Sequence, residues 1–218
     1  MKDPAAPIPF AGSVLGKSRH ICAFFHSDEE EYRVLLPFIK NGFECGDKAV
    51  HVVNPHQRED HLKRLADAGI DAASAQTTGQ LDLLNNNDAY LRDGRFDQDR
   101  MIKAFEDIAC GKVHRQYPVN RIVCRMDWAA DASVLNDVVE FESRVNDVWT
   151  RSYDAVVCTY HLSMFRGDIV IDILRTHPMV IIGGVLQQNP FFVPPAEFLR
   201  ERRERRSSGR TATPAAIA

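Results

Sequence analysis

Residues 20–30 read HICAFFHSDEE, a short apolar run followed at once by a polar and acidic turn. A nearly continuous apolar run of six residues is typical of a strand that is buried on both faces. Ser27 and Glu30 have the spacing of a capping box, and the acids that begin at Asp28 suit the positive end of a helix dipole. The stretch therefore predicts a strand that leads directly into a helix.

The same alternation continues along the chain. Apolar runs predict further strands near residues 49–53, 80–84, 120–126, 153–160 and 179–186, and amphipathic patterns predict helices between them. Gly183 and Gly184 interrupt the last of these strands. The alternation favours an α/β fold, a single three-layer domain with a mainly parallel central sheet and helices on both faces. In such sheets, ligands bind beyond the carboxyl ends of the strands.

The two ends of the chain differ from its centre in composition. Residues 1–18 are rich in Pro, Ala, Gly and Ser and are predicted to form a flexible N-terminal arm. Residues 19–199 are predicted to form the folded domain. Six arginines and two glutamates lie between residues 200 and 210, and residues 200–218 are predicted to be a disordered, Arg-rich tail.

Composition excludes several classes of protein. The 218 residues carry 27 Lys and Arg against 30 Asp and Glu, and this net charge of -3 disfavours direct nucleic-acid binding by the domain. Residues 179–186 form a long apolar stretch, yet they fall far short of the roughly 18 residues of a membrane helix. The start of the chain lacks the pattern of a secretory signal. Five scattered cysteines without a C-x-x-C pair predict reduced thiols in a cytoplasmic protein.

Residues able to bind a ligand collect on the predicted sheet. His20 and Cys22 share one face of their strand, and thiols with imidazoles suit a metal ion or a small electrophile. Buried cysteines that only fill space are the alternative, so a metal site stays open and no cofactor is named. Aromatic side chains at strand ends favour a pocket for a small organic ligand, with simple packing as the alternative. The predicted ligand site comprises His20, Cys22, Asp127, Trp128, Cys158, Tyr160 and His177.

A second motif suggests a different function. Residues 11–18 read AGSVLGKS and fit a loose form of the phosphate-binding loop that ends in Gly16, Lys17 and Ser18. A working loop leaves a strand and opens a helix, whereas this segment precedes the first predicted strand. A nucleotide-binding ATPase or switch is therefore the alternative function. The chain has no nucleophile elbow and no H-E-x-x-H motif, and it is predicted not to be an enzyme.

Five segments occur in a recognisable order: HICAFF at 20–25, FIKNG at 38–42 with GDK at 46–48, VCTY at 157–160, DILRTHP at 172–178 and NPFF at 189–192. Together they resemble the MEDS family, the methanogen/methylotroph sensory domain also found in a dichloromethane-responsive regulator. The resemblance covers residues 19–199 and implies a RecA-like or KaiC-like fold without a working phosphate loop. It maps the characteristic histidine and cysteine positions of the family onto His20, Cys22, Cys158 and His177. Where family members often carry an acid, this chain has Arg125, and Asp127 is the candidate replacement.

The resemblance implies a stand-alone cytoplasmic sensor. Such a domain binds a small ligand, for example a simple hydrocarbon derivative, or receives a redox signal, and it regulates a signalling or transcription partner. A partner of the kinase or anti-sigma type is expected because no output module is fused here. A metal-binding or haem-binding redox sensor is the further alternative, and a homo-oligomer is left open.

Overall fold

The computed structural model describes residues 3–113 and 116–211. Within these residues the strands are β1 (Ile8–Phe10), β2 (Ser13–Leu15), β3 (His20–Phe25), β4 (Lys48–Val53), β5 (Leu81–Asn85), β6 (Asn120–Arg125), β7 (Ala155–His161), β8 (Met179–Ile182) and β9 (Val185–Gln188). The helices are α1 (Asp28–Glu44), α2 (Arg58–Asp67), α3 (Ala72–Thr77), α4 (Asn86–Ala89), α5 (Gln98–Ala109), α6 (Ala132–Arg144), α7 (Asn146–Trp149), α8 (Gly167–Thr176) and α9 (Pro195–Thr211). Across the described part of the chain, none of these helices combines the length and the apolar character that a bilayer-crossing helix requires.

Seven strands form one central sheet in the order β5-β4-β6-β7-β3-β8-β9. The first six of these run parallel to one another, and β9 pairs with β8 in the antiparallel direction at the edge. The strands β3, β4 and β6 are buried along their whole length, as their apolar runs predict. The predicted α/β fold with a mainly parallel sheet is confirmed.

The two faces of the sheet carry different side chains because successive strand residues point to opposite sides. Ile21, Ala23 and Phe25 of β3 pack with the apolar residues of α1, α2 and α3. Cys22 and Phe24 point the other way and pack with residues of α5 to α9. The cysteines of the three adjacent strands β6, β7 and β3 lie side by side on this second face. The fold thus brings the thiols predicted from sequence under α6 and α8.

The turn between β3 and α1 forms the Ser27 half of the predicted capping box, and the Glu30 carboxylate reaches back one residue further, to His26. The Ser27 hydroxyl oxygen accepts a hydrogen bond from the Glu30 backbone N–H at 3.3 Å, and a Glu30 carboxylate oxygen accepts one from the His26 N–H at 2.8 Å. Four acids occupy the first turn of α1. The positive end of this helix is therefore already supplied with anions by the chain itself.

The segment before the domain is an ordered hairpin. The strands β1 and β2 pair through a two-residue turn at Ala11 and Gly12, whose φ angles of 46° and 71° are those of a tight hairpin turn. Phe10 and Leu15 are buried, and the ring of Phe10 stacks on Phe38 at 4.1 Å. The prediction of a flexible arm over residues 1–18 is wrong for this hairpin, because three-residue strands are too short to show an apolar period.

Arg19 ties this N-terminal segment to the domain. Its buried guanidinium donates hydrogen bonds to the backbone oxygens of Pro4, Ala6, Gly16 and Tyr153. An Arg19→Met variant leaves these acceptors without their donor. A hydrogen bond to a charged group contributes about 1.5–3 kcal/mol, but the four bonds are only partly buried, so water replaces most of what the variant loses. We expect the free energy of unfolding to fall by about 2–3 kcal/mol in a urea titration. Limited proteolysis should cut the variant, but not the wild type, in the segment that precedes residue 19.

Lys17 supplies the matched control, since it is an exposed cation in the same segment. Lys17→Met should unfold at the wild-type urea concentration, and an equal loss in both variants would contradict the anchoring role of Arg19.

The surroundings of Lys17 also bear on nucleotide binding. Residues 16–18 connect β2 to β3, and no helix follows them, so backbone N–H groups at a helix start do not surround this lysine. The geometry does not support the phosphate-loop alternative.

The strand predicted at residues 179–186 is two strands. Gly183 and Gly184 both have positive φ, at 59° and 76°, and together they form the tight turn between β8 and β9. Glycine adopts these angles without the steric cost that other residues incur. The chain therefore reverses and adds an antiparallel edge strand to the sheet.

The Arg-rich end of the chain is helical as far as the structure describes it. The helix α9 extends to Thr211, so the predicted disorder from residue 200 is wrong up to that point, and residues 212–218 lie outside the described part. Arg202 is 7% exposed and donates hydrogen bonds to Asp172 of α8 at 2.7 Å and to Asn136 of α6 at 2.8 Å. These partners on other helices stabilise α9, and the local sequence could not reveal them.

Candidate functional site

Four side chains with ligand atoms meet in the core, between the sheet and the helices α6 and α8. His20 begins β3, Cys158 lies in β7, Glu142 projects from α6 and His177 directly follows α8. Their exposed fractions are 2%, 4%, 1% and 0%. These four residues are called the His–Glu–Cys cluster.

One carboxylate oxygen lies at the centre of the cluster. Glu142 Oε2 is 3.3 Å from His20 Nε2, 3.4 Å from His177 Nε2 and 3.8 Å from Cys158 Sγ. The Cys158 sulfur is 3.9 Å from His20 Nε2, and the two imidazole rings lie 4.1 Å apart. The four ligand atoms thus lie within 4.8 Å of one another.

Hydrogen bonds fix which nitrogen of each histidine faces the cluster. The amide of Asn146 donates to the backbone oxygens of Glu142 and Thr176, so its own oxygen is left to accept the Nδ1–H of His20 at 3.0 Å. The Nδ1–H of His177 donates to the backbone oxygen of Ile173 at 2.9 Å. Both histidines therefore direct Nε2 toward Glu142. The Nε2 of His177 is buried without a hydrogen-bond partner.

The charges in the cluster are strongly coupled. Burial alone would raise the pKa of Glu142, but the nearby His177 and His20 outweigh it and hold that pKa far below its usual range. Burial likewise opposes charge on His177, but Cys22 and Glu142 raise its pKa to about 10. Burial and the neighbouring His177 lower the pKa of His20, and burial together with Glu142 raises that of Cys158. At neutral pH the cluster holds an imidazolium–carboxylate pair beside a neutral imidazole and a thiol.

The arrangement suits binding more than catalysis. A nucleophilic cysteine needs a lowered pKa and access to solvent, whereas Cys158 is buried and keeps its proton. Two imidazoles, a thiol and a carboxylate are together the ligand types that zinc and similar ions take. The cluster is therefore a place that could hold a metal or another small group.

The structure brings most of the sequence-predicted site residues to this cluster. Cys22 lies opposite Cys158 on the adjacent strand, and its thiol faces His177. Tyr160 donates its hydroxyl to Glu142 Oε1 at 2.8 Å. Glu142 itself was missed, although an acid on the apolar face of α6, between Val138 and Val145, was the available signal.

Asp127 and Trp128 have other partners. Asp127 accepts hydrogen bonds from Arg125 at 2.8 Å and from Asn54 at 3.3 Å at the carboxyl edge of the sheet. Trp128 stacks on Tyr90, with ring centroids 4.8 Å apart. The predicted pocket wall of Trp128 is an aromatic packing contact, which was the alternative interpretation.

A second charged group fills the carboxyl edge of the sheet. The Arg125 guanidinium binds Asp28 and Glu31 of the first turn of α1 in addition to Asp127. His161 Nε2 lies 3.0 Å from Glu31 Oε2 and completes this network. Asp28, Glu31 and His161 have the spacing of metal ligands, but Arg125 already supplies a cation among them. The protein's own ion pairs therefore occupy this part of the edge where such sheets usually bind ligands.

Comparisons with known proteins agree with this fold. Residues 19–178 match the family described as MEDS, the methanogen/methylotroph, DcmR sensory domain. The transcriptional repressor DcmR of Methylorubrum extorquens is 23% identical over 177 residues, which cover 79% of this chain and 63% of the repressor. The chain thus spans less than two thirds of that relative. A KaiC-like protein from Pyrococcus horikoshii has a TM-score of 0.54 at 13% identity, over 76% of this chain and 71% of that one.

The structural neighbour shows a KaiC-like fold, as the sequence resemblance implied. The family match covers more than half of the chain, and it includes the two histidines and the buried cysteines described above. The matched family is described as a sensory domain. This chain belongs to the MEDS family of sensory domains.

Proposed function

We propose that this chain is a non-enzymatic sensor that receives its signal at the His–Glu–Cys cluster and passes the response to a regulatory partner protein in the cytoplasm. The observation that carries the proposal is the cluster itself. Four buried side chains with ligand atoms converge on one point, with the carboxylate of Glu142 between the two imidazoles. Sites with strongly perturbed pKa values are more often functional than the rest of a protein, although buried ion pairs can also be structural.

Helices that contact the cluster also hold the charged C-terminal helix. Glu142 lies on α6, and His177 lies at the end of α8. Arg202 of α9 pairs with Asp172 of α8 at 2.7 Å, and Arg206 pairs with Glu140 of α6 at 2.8 Å. A signal that moved α6 relative to α8 would therefore change how α9 is held. We infer that α9 presents the response to the partner, which fits a kinase or an anti-sigma protein.

Binding alone does not produce a signal. The ligand must bind one of two conformations of the domain more tightly, because equal affinity for both would leave their populations unchanged. A simple hydrocarbon derivative and a redox signal are the two inputs that the family resemblance implies. Because the cluster is buried, it favours a signal molecule or ion that is small enough to reach a site inside the core.

The role is tested by comparing transcripts in cells that carry the wild-type chain, no chain, or the Cys158→Ser variant. We expect deletion and Cys158→Ser to change the same set of transcripts in the same direction. Cys124→Ser is the matched control, because Cys124 is an equally buried cysteine opposite Cys158 on β6. Its expected transcript profile is that of the wild type, with variant abundance checked by immunoblotting.

Two outcomes would contradict the proposal separately. If deletion changes no transcripts, the chain is not a regulator in these cells. If deletion has an effect but Cys158→Ser behaves as the wild type does, the chain regulates, and the cluster is not where it receives the signal.

A further inference from the structure

We propose that the His–Glu–Cys cluster is a binding site for one divalent transition-metal ion of the zinc class. This inference rests on the proposed sensory function, because it names the chemical class of the signal at the same site. The ligands would be His20 Nε2, His177 Nε2, Cys158 Sγ and one carboxylate oxygen of Glu142.

The spacing of the ligand atoms fits such an ion. Zinc in proteins is tetrahedral, with bonds of about 2.0–2.3 Å, so its ligand atoms lie about 3.3–3.8 Å from one another. Glu142 Oε2 lies 3.3 Å and 3.4 Å from the two histidine nitrogens and 3.8 Å from the Cys158 sulfur. The sulfur lies 3.9 Å from His20 Nε2. The other two pairs, from His177 Nε2 to His20 Nε2 and to Cys158 Sγ, lie within 4.8 Å, so side-chain movements of about 1 Å would bring all four atoms to the spacing of a tetrahedral site.

The surroundings of the two histidines resemble those of metal ligands. A metal-bound histidine usually donates its other ring N–H to a carbonyl or carboxylate oxygen, which fixes the ring and the free nitrogen. His20 donates in this way to the side-chain oxygen of Asn146, and His177 donates to the backbone oxygen of Ile173. This pattern in both rings leaves both Nε2 atoms for the cluster.

The position of His177 also suits a metal ligand. Its fully buried Nε2 lies 3.4 Å from Glu142 Oε2, too far for a hydrogen bond of standard geometry, so the two atoms are held near each other by charge alone. A metal ion between them would bind both atoms directly.

The charges of the ligand set match a divalent ion. Zinc takes neutral imidazoles and a thiolate, so Glu142 and Cys158 would supply two negative charges to the ion. The buried site would then be neutral, whereas an unbalanced charge there would be strongly unfavourable.

The test is metal loading of the full chain with zinc and with cobalt. Because the ligand atoms are buried, the ion is offered both to the folded protein and during refolding. We expect one ion per chain after removal of free metal, measured by native mass spectrometry and elemental analysis. Cobalt should give the intense visible bands of a tetrahedral site and a thiolate charge-transfer band.

Cys158→Ser should lose the thiolate band and most of the affinity, whereas Cys124→Ser should keep both. If the wild type retains no ion after both loading procedures, the proposed metal site is overturned. Retention of an unchanged cobalt spectrum by Cys158→Ser would overturn it as well. The wild-type spectrum decides the matter even if a variant does not fold. A metal-free chain that still alters transcripts through Cys158 would leave the proposed sensory function in place with a different ligand.

Discussion

Replacing Glu142 with glutamine is expected to lower the free energy of unfolding of the metal-free protein by about 3–5 kcal/mol, because removal of one partner leaves a buried charge uncompensated. Glu142 is 1% exposed, and its two oxygens contact His20, His177, Cys158 and Tyr160. Glutamine has nearly the same shape as glutamate. The loss in free energy therefore measures the contribution of the charge and its hydrogen bonds, because the substitution creates no cavity in the core.

The size of this loss should depend on pH in a defined way. The pKa of Glu142 is lowered from its usual 4.5, so its contribution is present above about pH 4.5 and is lost as the pH falls. The pKa of His177 is raised from 6.5 to about 10, so its contribution is complete below pH 6.5 and is lost as the pH rises toward 10. The difference between wild type and Glu142→Gln should thus be largest between about pH 4.5 and 6.5.

Urea titrations from pH 4 to pH 10 in the presence of a chelator measure this difference. Glu140→Gln is the control, since Glu140 lies on the same helix and is more exposed, at 22%. Surface ion pairs contribute about 0–1 kcal/mol, so this control should change little. A pH-independent loss in Glu142→Gln would mean that the pair with His177 does not form.

The alternation of strands and helices was predictable because buried parallel strands are apolar along their whole length and amphipathic helices have a clear period. The errors lie in segments that are too short to show a periodic pattern, or that are stabilised by residues distant in the sequence. The hairpin from Ile8 to Leu15 has three-residue strands, and the turn at Gly183 resembles an interruption within one strand. The helix α9 is stabilised by acids on other helices, such as Asp172.

The candidate site was predictable in part for a related reason. His20 and Cys22 could be placed on one face from the two-residue period of a strand. Because the central strands lie side by side, Cys158 and His177 could be placed near them, and the family resemblance pointed to the same four residues. Glu142 was not found, because sequence patterns assign charged helix residues to the solvent side unless a buried partner is known. The rule that ligands bind at the carboxyl ends of parallel strands placed Asp127 in the site. Here that edge is occupied by Arg125.

Replacing Arg125 with methionine is expected to lower the free energy of unfolding by about 3–5 kcal/mol at neutral pH. The guanidinium contacts Asp28, Glu31 and Asp127 at once, and Glu31 and Asp127 are themselves buried. Without Arg125 these carboxylates repel one another in a place with little water. Arg125→Lys should recover only part of the loss, because a single ammonium cannot direct separate N–H groups at three carboxylates.

The effect of Arg125→Met should decrease in acid. In the wild type, burial opposes ionisation of Asp28, but the hydrogen bond and the charge of Arg125 lower its pKa from 3.8, so its contribution is present above about pH 4 and is lost as the pH falls. Arg64→Met is the control, since Arg64 pairs with Glu29 and Asp60 near the surface and should change the free energy by about 0–1 kcal/mol. Equal losses in the two variants, measured by urea titration at pH 7, would show that the carboxylates around Arg125 are reached by water. The carboxyl edge of the sheet would then be open to a ligand, and the closed core cluster would no longer be the better candidate for the sensory site.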